Sequence, residues 1–244
     1  MPRAPISNRI LLRDQVASLQ INSTLNKVVS NGNCGVVGSS AFSMGGWWKP
    51  KDLQLGVAYN WLLSLGTTVA NKAWTLGATS SGFLELGSFG IDLPSTIQPN
   101  LNQWGHLVGV FAGGANGNVK VYWNGVLIKN IACGFTPNLD DGVLTVAQFA
   151  SSSASLGLID ECFLYNNVAI TQQQVMDIYN NGIYAPGVSI LYRFNEGTGT
   201  VATDSSGNSN NGTITNPLWS TDVAIKPRTA VSGRVPAVGR QLIT

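Results

Sequence analysis

Carboxylates are the side chains here best suited to acid–base chemistry, and their spacing argues against it. Hydrolysis with two carboxylates requires both to converge on one bond across a cleft. Asp160 and Glu161 are adjacent, so on a strand they are expected to point to opposite faces. Glu85 is isolated, and Asp140-Asp141-Gly142 reads as a turn. The one histidine, His106, sits inside a strand-like run, where a structural role is expected rather than a catalytic one. Cys34, Cys133 and Cys162 are too few and too scattered for a disulfide framework or a zinc site. Each lies beside apolar residues, so buried free thiols are expected. The expectation is a protein that is not an enzyme.

The elements that would position any site read as strands. The chain has 244 residues, 44% hydrophobic and only 11% charged, with 28 glycines, which fits one large β core joined by tight turns. No apolar run is long enough to span a membrane. The first residues, MPRAPISNRILLRDQ, lack the pattern of a secretory signal, so a product made in a cytoplasm is expected. Charge is uneven. Residues 1–14 and 226–244 carry Arg3, Arg9, Arg13, Lys226, Arg228, Arg234 and Arg240 against Asp14 alone, while the intervening body is mildly acidic.

Residues 15–30 read as a transition from the first arm. Strand signals follow at 42–48, stopped by Lys49-Pro50, and then at 57–65, 72–76, 83–86, 106–112 and 118–123. Asn124-Gly125 is a two-residue hairpin signal, because both residues tolerate positive φ. That loop would pair Trp123 with Val126 and Val121 with Ile128 on a core face. Tyr122, Leu127 and an opposed Lys120–Lys129 pair would then lie on a solvated face. Thr171-Gln172-Gln173-Gln174 is a capping box, flanked by Ile170 and Val175 as a hydrophobic staple and ended by Gly182. A short helix at about 171–180 is expected to plug one end of the β core. A further strand at 188–194 precedes a polar loop, 204–212.

Taken together, Phe42-Ser43-Met44-Gly45-Gly46-Trp47-Trp48-Lys49-Pro50, Trp104-Gly105-His106-Leu107-Val108-Gly109-Val110, Val119-Lys120-Val121-Tyr122-Trp123-Asn124-Gly125 and Gly157-Leu158-Ile159-Asp160-Glu161-Cys162-Phe163-Leu164-Tyr165 resemble the laminin-G-like branch of the concanavalin A-like jelly rolls. The helix at 170–179 fits the same pattern. Tyr192-Arg193-Phe194-Asn195-Glu196-Gly197-Thr198-Gly199 is similar to the family's opening strand, yet here it comes last. A circular permutation or a truncated second repeat would produce that order. Permutation is favoured, since the ends of a sandwich tend to lie close together.

The resemblance implies an all-β, two-sheet antiparallel jelly-roll sandwich over 31–222, between an arm and transition at 1–30 and a second arm at 223–244. The fold's hydrolases carry acids two and three residues apart along one strand, a spacing this chain lacks. Members of the fold commonly bind calcium, for which Asp204, Asn208 and Asn210 are candidate ligands with Asp160 across the sandwich edge. Lectin-like binding of a cell-surface glycan would draw on Trp47, Trp61, Trp74 or Trp219. Prolines make the arms extended. Their Arg3, Arg9, Arg13, Arg228, Arg234 and Arg240 are expected to hold a protein partner rather than nucleic acid. Jelly rolls with such arms look like virion components of tailed bacteriophages, in capsid decoration or a fibre. Expected partners are a major capsid protein and further copies of the chain, with neither nucleic acid nor membrane involved.

Overall fold

The computed structural model describes residues 16–56, 58–149 and 153–227. In chain order the first strands are β1 (Ser18–Ile21), β2 (Lys27–Ser30), β3 (Phe42–Pro50), β4 (Asn60–Gly66), β5 (Ala73–Ala78) and β6 (Leu84–Gly87). Next come β7 (Gly105–Phe111), β8 (Asn118–Trp123), β9 (Val126–Ala132), β10 (Leu144–Val146), β11 (Gln148–Phe149), β12 (Ser153–Ala154) and β13 (Gly157–Asn166). Helix α1 (Gln172–Asn181) precedes β14 (Ile190–Tyr192), β15 (Val201–Ala202), β16 (Gly212–Thr215) and β17 (Trp219–Ser220). Two large antiparallel sheets result, with β11 and β12 paired in a separate two-stranded sheet. One has eight strands, ordered β17-β1-β13-β3-β7-β8-β9, with β14 also on β13; the other has seven, ordered β15-β16-β2-β10-β4-β5-β6.

Alternation along each strand sorts the side chains. Phe42, Met44 and Trp48 of β3 face Leu63, Leu65, Trp74, Leu76 and Leu86 of the opposite sheet in one apolar core. The transition stretch belongs to this sandwich: Leu19, Ile21 and Val28 are buried in the core, and their strands pair with β17 and β16. First and last strands are therefore neighbours. Cys34, Cys133 and Cys162 are buried free thiols, and burial raises the thiols of Cys34 and Cys162.

The Asn-Gly turn forms with φ of 51° at Asn124 and 79° at Gly125, and Trp123 pairs with Val126. Beyond it the register departs from expectation. A bulge at Ile128 sets Val121 opposite Lys129 and Lys120 opposite Asn130, so the two lysines are not opposed. Pro50 does not stop the pairing of β3 with β13; it pairs with Gly157. Its missing N–H faces the side where β7 has already ended, at the Trp48–Gly105 pair.

Helix α1 starts at the expected capping box, with Thr171 accepting from Gln174 N and Gln174 closing back on Thr171 N, and ends at left-handed Gly182. Its location differs from expectation. It lies on the outer face of the eight-stranded sheet, where Val175 and Ile178 join Val108, Val110, Tyr122, Phe163 and Tyr165 in a second core. The face carrying Tyr122 is thus covered, not solvated. Gln172 Nε2 donates to Gly125 O at 2.9 Å, tying the helix to the hairpin turn. His106 is buried on this face against Trp47 and Tyr179, with ring centroids 5.1 and 6.0 Å away. Burial, with Lys226 nearby, lowers its pKa to about 3, so it is neutral at physiological pH. Among the described residues no helix is long and apolar enough to cross a membrane.

Candidate functional site

The outer face of the seven-stranded sheet carries a polar groove. Thr213, Val29, Thr145, Ser64, Thr75 and Gly87 form one row across β16, β2, β10, β4, β5 and β6. These residues face outward because their strand neighbours Ile214, Val28, Leu144, Leu65, Trp74 and Leu86 fill the core. Over β16, β2, β10 and β4 the face hollows into a groove of about 570 Å³. Lys27, Thr67, Thr68, Thr145 and Thr215 line it. None of these five side chains has a hydrogen-bond partner among the described residues. Beneath them Ser64 Oγ donates to Gln148 O at 2.6 Å, and Gln148 Nε2 donates to Thr24 O at 2.8 Å, so the floor is braced while the rim donors stay open.

A single groove-lining ring, backed by two others, walls one side. Phe149 lines the groove and packs with Trp61 and Tyr59, and the Tyr59 and Trp61 rings stack at 4.8 Å and 16°. Trp61 is only 6% exposed; Tyr59 is the half-buried ring. Its hydroxyl donates to Asp92 at 2.8 Å, and that bond, with burial, pushes the phenol up to about 12.

Behind the wall, Trp61, Gly77 and Glu85 form the adjoining row. Glu85 is fully buried. One carboxyl oxygen accepts from Leu93 N at 2.7 Å, and the other has no partner among the described residues. Burial, then the Asp92 charge, raises its pKa to about 8, so Glu85 is a neutral acid at pH 7.

A sequence model described as the concanavalin A-like lectin/glucanases superfamily, of laminin G type, matches residues 22–176. The chain belongs to this superfamily. Among solved structures, this concanavalin A-like sandwich is similar to a putative carbohydrate binding protein from Bacteroides ovatus, with a TM-score of 0.65 and 19% identity. The match covers 88% of this chain but 62% of that one, so the chain spans less than two thirds of that protein. It is also similar to a heptameric SAP-like pentraxin from Limulus polyphemus, with a TM-score of 0.55 and 17% identity over 82% of this chain and 94% of that one. No curated protein sequence matches the chain.

In this concanavalin A-like fold the acids expected on opposite faces of β13 share one. Glu161 takes φ of 46° in a bulge between Asp160 and Phe163, which turns both carboxyls outward while Ile159 and Cys162 stay in the core. Glu161 accepts from Lys226 Nζ at 2.7 Å, Arg193 Nη1 at 3.0 Å and Tyr184 OH at 3.2 Å. Asp160 accepts from Ala224 N and Glu161 N, and burial beside Glu161 raises its pKa.

Of the candidate calcium ligands, Asp204 and Asn210 already have their side-chain oxygens engaged by the protein itself. Asp204, Asn208 and Asn210 share one loop, but Asp204 already accepts from Leu191 N, Ser206 N, Ser206 Oγ and Asn210 N. Those four donors take up its lone pairs. Asn208 Nδ2 donates to Val188 O and Ser189 O, and Asn210 Oδ1 accepts from Gly32 N. Asp160 has none of these partners. Among the described residues no group of three or more acids, histidines or cysteines is placed to hold a metal.

Of the candidate stacking tryptophans, Trp47 and Trp74 are buried and Trp61 is almost covered; Trp219 is half-buried at the β17 edge. Tyr59 and the threonines were missed, although Thr145 between Leu144 and Val146 carries the alternation of a half-exposed strand. Arg3, Arg9, Arg13, Arg228, Arg234 and Arg240 lie outside the described residues.

Proposed function

We propose that the chain is a non-catalytic carbohydrate-binding module that holds a glycan along the outer face of its seven-stranded sheet. The observation that carries this reading is the groove itself, where open hydroxyls and an ammonium stand beside the wall formed by the Phe149 ring, which Trp61 and Tyr59 back. Sugar hydroxyls need such donors and acceptors, and the apolar ring faces need the wall. The likeness to a putative carbohydrate binding protein supports the same reading. The acids near the groove do not form a hydrolytic pair across it: Glu85 is sealed behind the wall, and Asp92 is engaged by Tyr59.

A glycan array probed with the full chain should give hits, and the bound glycans should be recovered uncleaved. Thr145→Phe places a ring in the groove on an outward strand position, so it should weaken those hits at least tenfold while leaving the circular dichroism unchanged. A blank array, or undiminished binding by Thr145→Phe, sinks the proposal.

A second reading concerns attachment. Ser18 Oγ donates to Asp222 O at 2.7 Å, so the points from which both arginine-bearing arms depart are neighbours on the body. We infer that the arms anchor the body to a larger assembly, a bacteriophage virion being the setting the sequence resemblance suggests. Deleting residues 1–15 and 228–244 should leave a folded body that no longer enters particles; normal incorporation of the truncated chain would refute this.

A further inference from the structure

We propose that the groove selects sugars bearing a carboxylate, with Lys27 as the group that reads the charge. This deepens, and rests on, the glycan-binding reading above. Lys27 is the one charged residue among those lining the groove, and no acid lines it. Four other cations, Lys49, Lys72, Arg193 and Lys226, each have a carboxylate partner. Lys27 has none among the described residues. Lys51, Lys120 and Lys129 also lack an ion pair there, but they do not line the groove.

Position makes the ammonium useful. Lys27 pairs across the strands with Thr215, whose hydroxyl is also open, so an ammonium and a hydroxyl donor sit together at one end of the groove. Across β16, β2, β10 and β4 the groove spans about 14 Å at ordinary strand spacing, room for a short oligosaccharide. One end then offers two donors to the two oxygens of a carboxylate, while Thr145, Thr67 and Thr68 face the neutral hydroxyls. A single lysine is a point charge suited to one monoanion, whereas phosphate sites draw on several donors or an arginine fork. With no acid in the groove wall to offset it, the ammonium gives the groove a positive potential.

The test uses the full chain and calorimetric titration at physiological ionic strength. The probes are an oligogalacturonate, its methyl ester, and sialyllactose beside lactose. A uronate reader binds the oligogalacturonate at least tenfold more tightly than the ester; a sialate reader shows that gain for sialyllactose over lactose. In either case Lys27→Met should remove the gain, bringing the acidic probe to the affinity of its neutral counterpart. Loss of all gain in the wild-type chain overturns the inference. So does a gain that survives Lys27→Met, which would assign it to a cation outside the groove. If neutral probes bind, Thr145→Phe abolishes that binding and no acid preference appears, the glycan reading stands and this inference alone falls. If no probe binds and the glycan array is blank, both fall.

Discussion

Replacing Glu161 with Ala will destabilise the sandwich by about 2–4 kcal/mol, enough to remove a large part of the stability of an ordinary domain. The Glu161 side chain is wholly buried and is the shared acceptor for Lys226, Arg193 and Tyr184. Deleting it leaves two cations and a phenol facing a site built for an anion. The penalty is moderated because the Arg193 and Lys226 side chains are 32% and 15% exposed, so water rescues part of their charge. Glu161→Gln keeps the shape and one acceptor oxygen, and should fall between the two. Urea unfolding gives the magnitudes. A double-mutant cycle with Lys226→Met separates the pair from the loss of packing. If Glu161→Ala unfolds at the wild-type urea midpoint, the carboxylate is not the hub described.

Glu85→Gln will act in the opposite direction, and only at neutral to alkaline pH. In the unfolded chain Glu85 titrates near 4.5, and in the fold near 8. Between those values the folded state keeps a proton that the unfolded chain has released. The stability due to the neutral acid is fully present below the unfolded value. It falls by about 1.4 kcal/mol per pH unit as the pH rises toward 8, then levels off. Glutamine has nothing to ionise and still offers an oxygen to Leu93 N, so the variant should gain several kcal/mol over wild type at pH 8 and almost nothing at pH 4. The difference between the two thermal melting curves across pH isolates this one group. Parallel curves would mean that Glu85 is ionised in the folded protein and that its burial has been misjudged.

What could be read in the sequence was local. The capping box at Thr171 and Gln174 and the positive-φ turn at Asn124-Gly125 depend on residues a few positions apart, and both formed as read. The bulges at Ile128 and Glu161 depend on the partner strand; the first changed the cross-strand partner of Lys120, and the second reversed a face assigned from simple alternation. Helix α1 showed its apolar stripe but not which apolar surface would receive it. The groove needed Thr215 beside Lys27 and Thr145 beside Ser64. Nothing in the intervening chain announces those pairings, because they join strands far apart in the sequence. The loop at 204–212 had the right ligand chemistry for a cation, but the oxygens of Asp204 and Asn210 accept from the protein's own N–H groups.

The short segment from Asp222 to Lys226 also has a mechanical meaning. Asp222 is gripped by Lys49 and Trp104, Ala224 by Asp160, and Lys226 by Glu161. Lys226 also crosses Gly182, where a Cβ would come within 2.6 Å of its side chain. A pull on the chain beyond residue 227 is therefore delivered to β13, an interior strand paired on both sides. An edge strand could be peeled away one hydrogen bond at a time, whereas β13 must be sheared from its neighbours together. A force applied at residue 227 would therefore meet shear across the sheet rather than peeling from its edge.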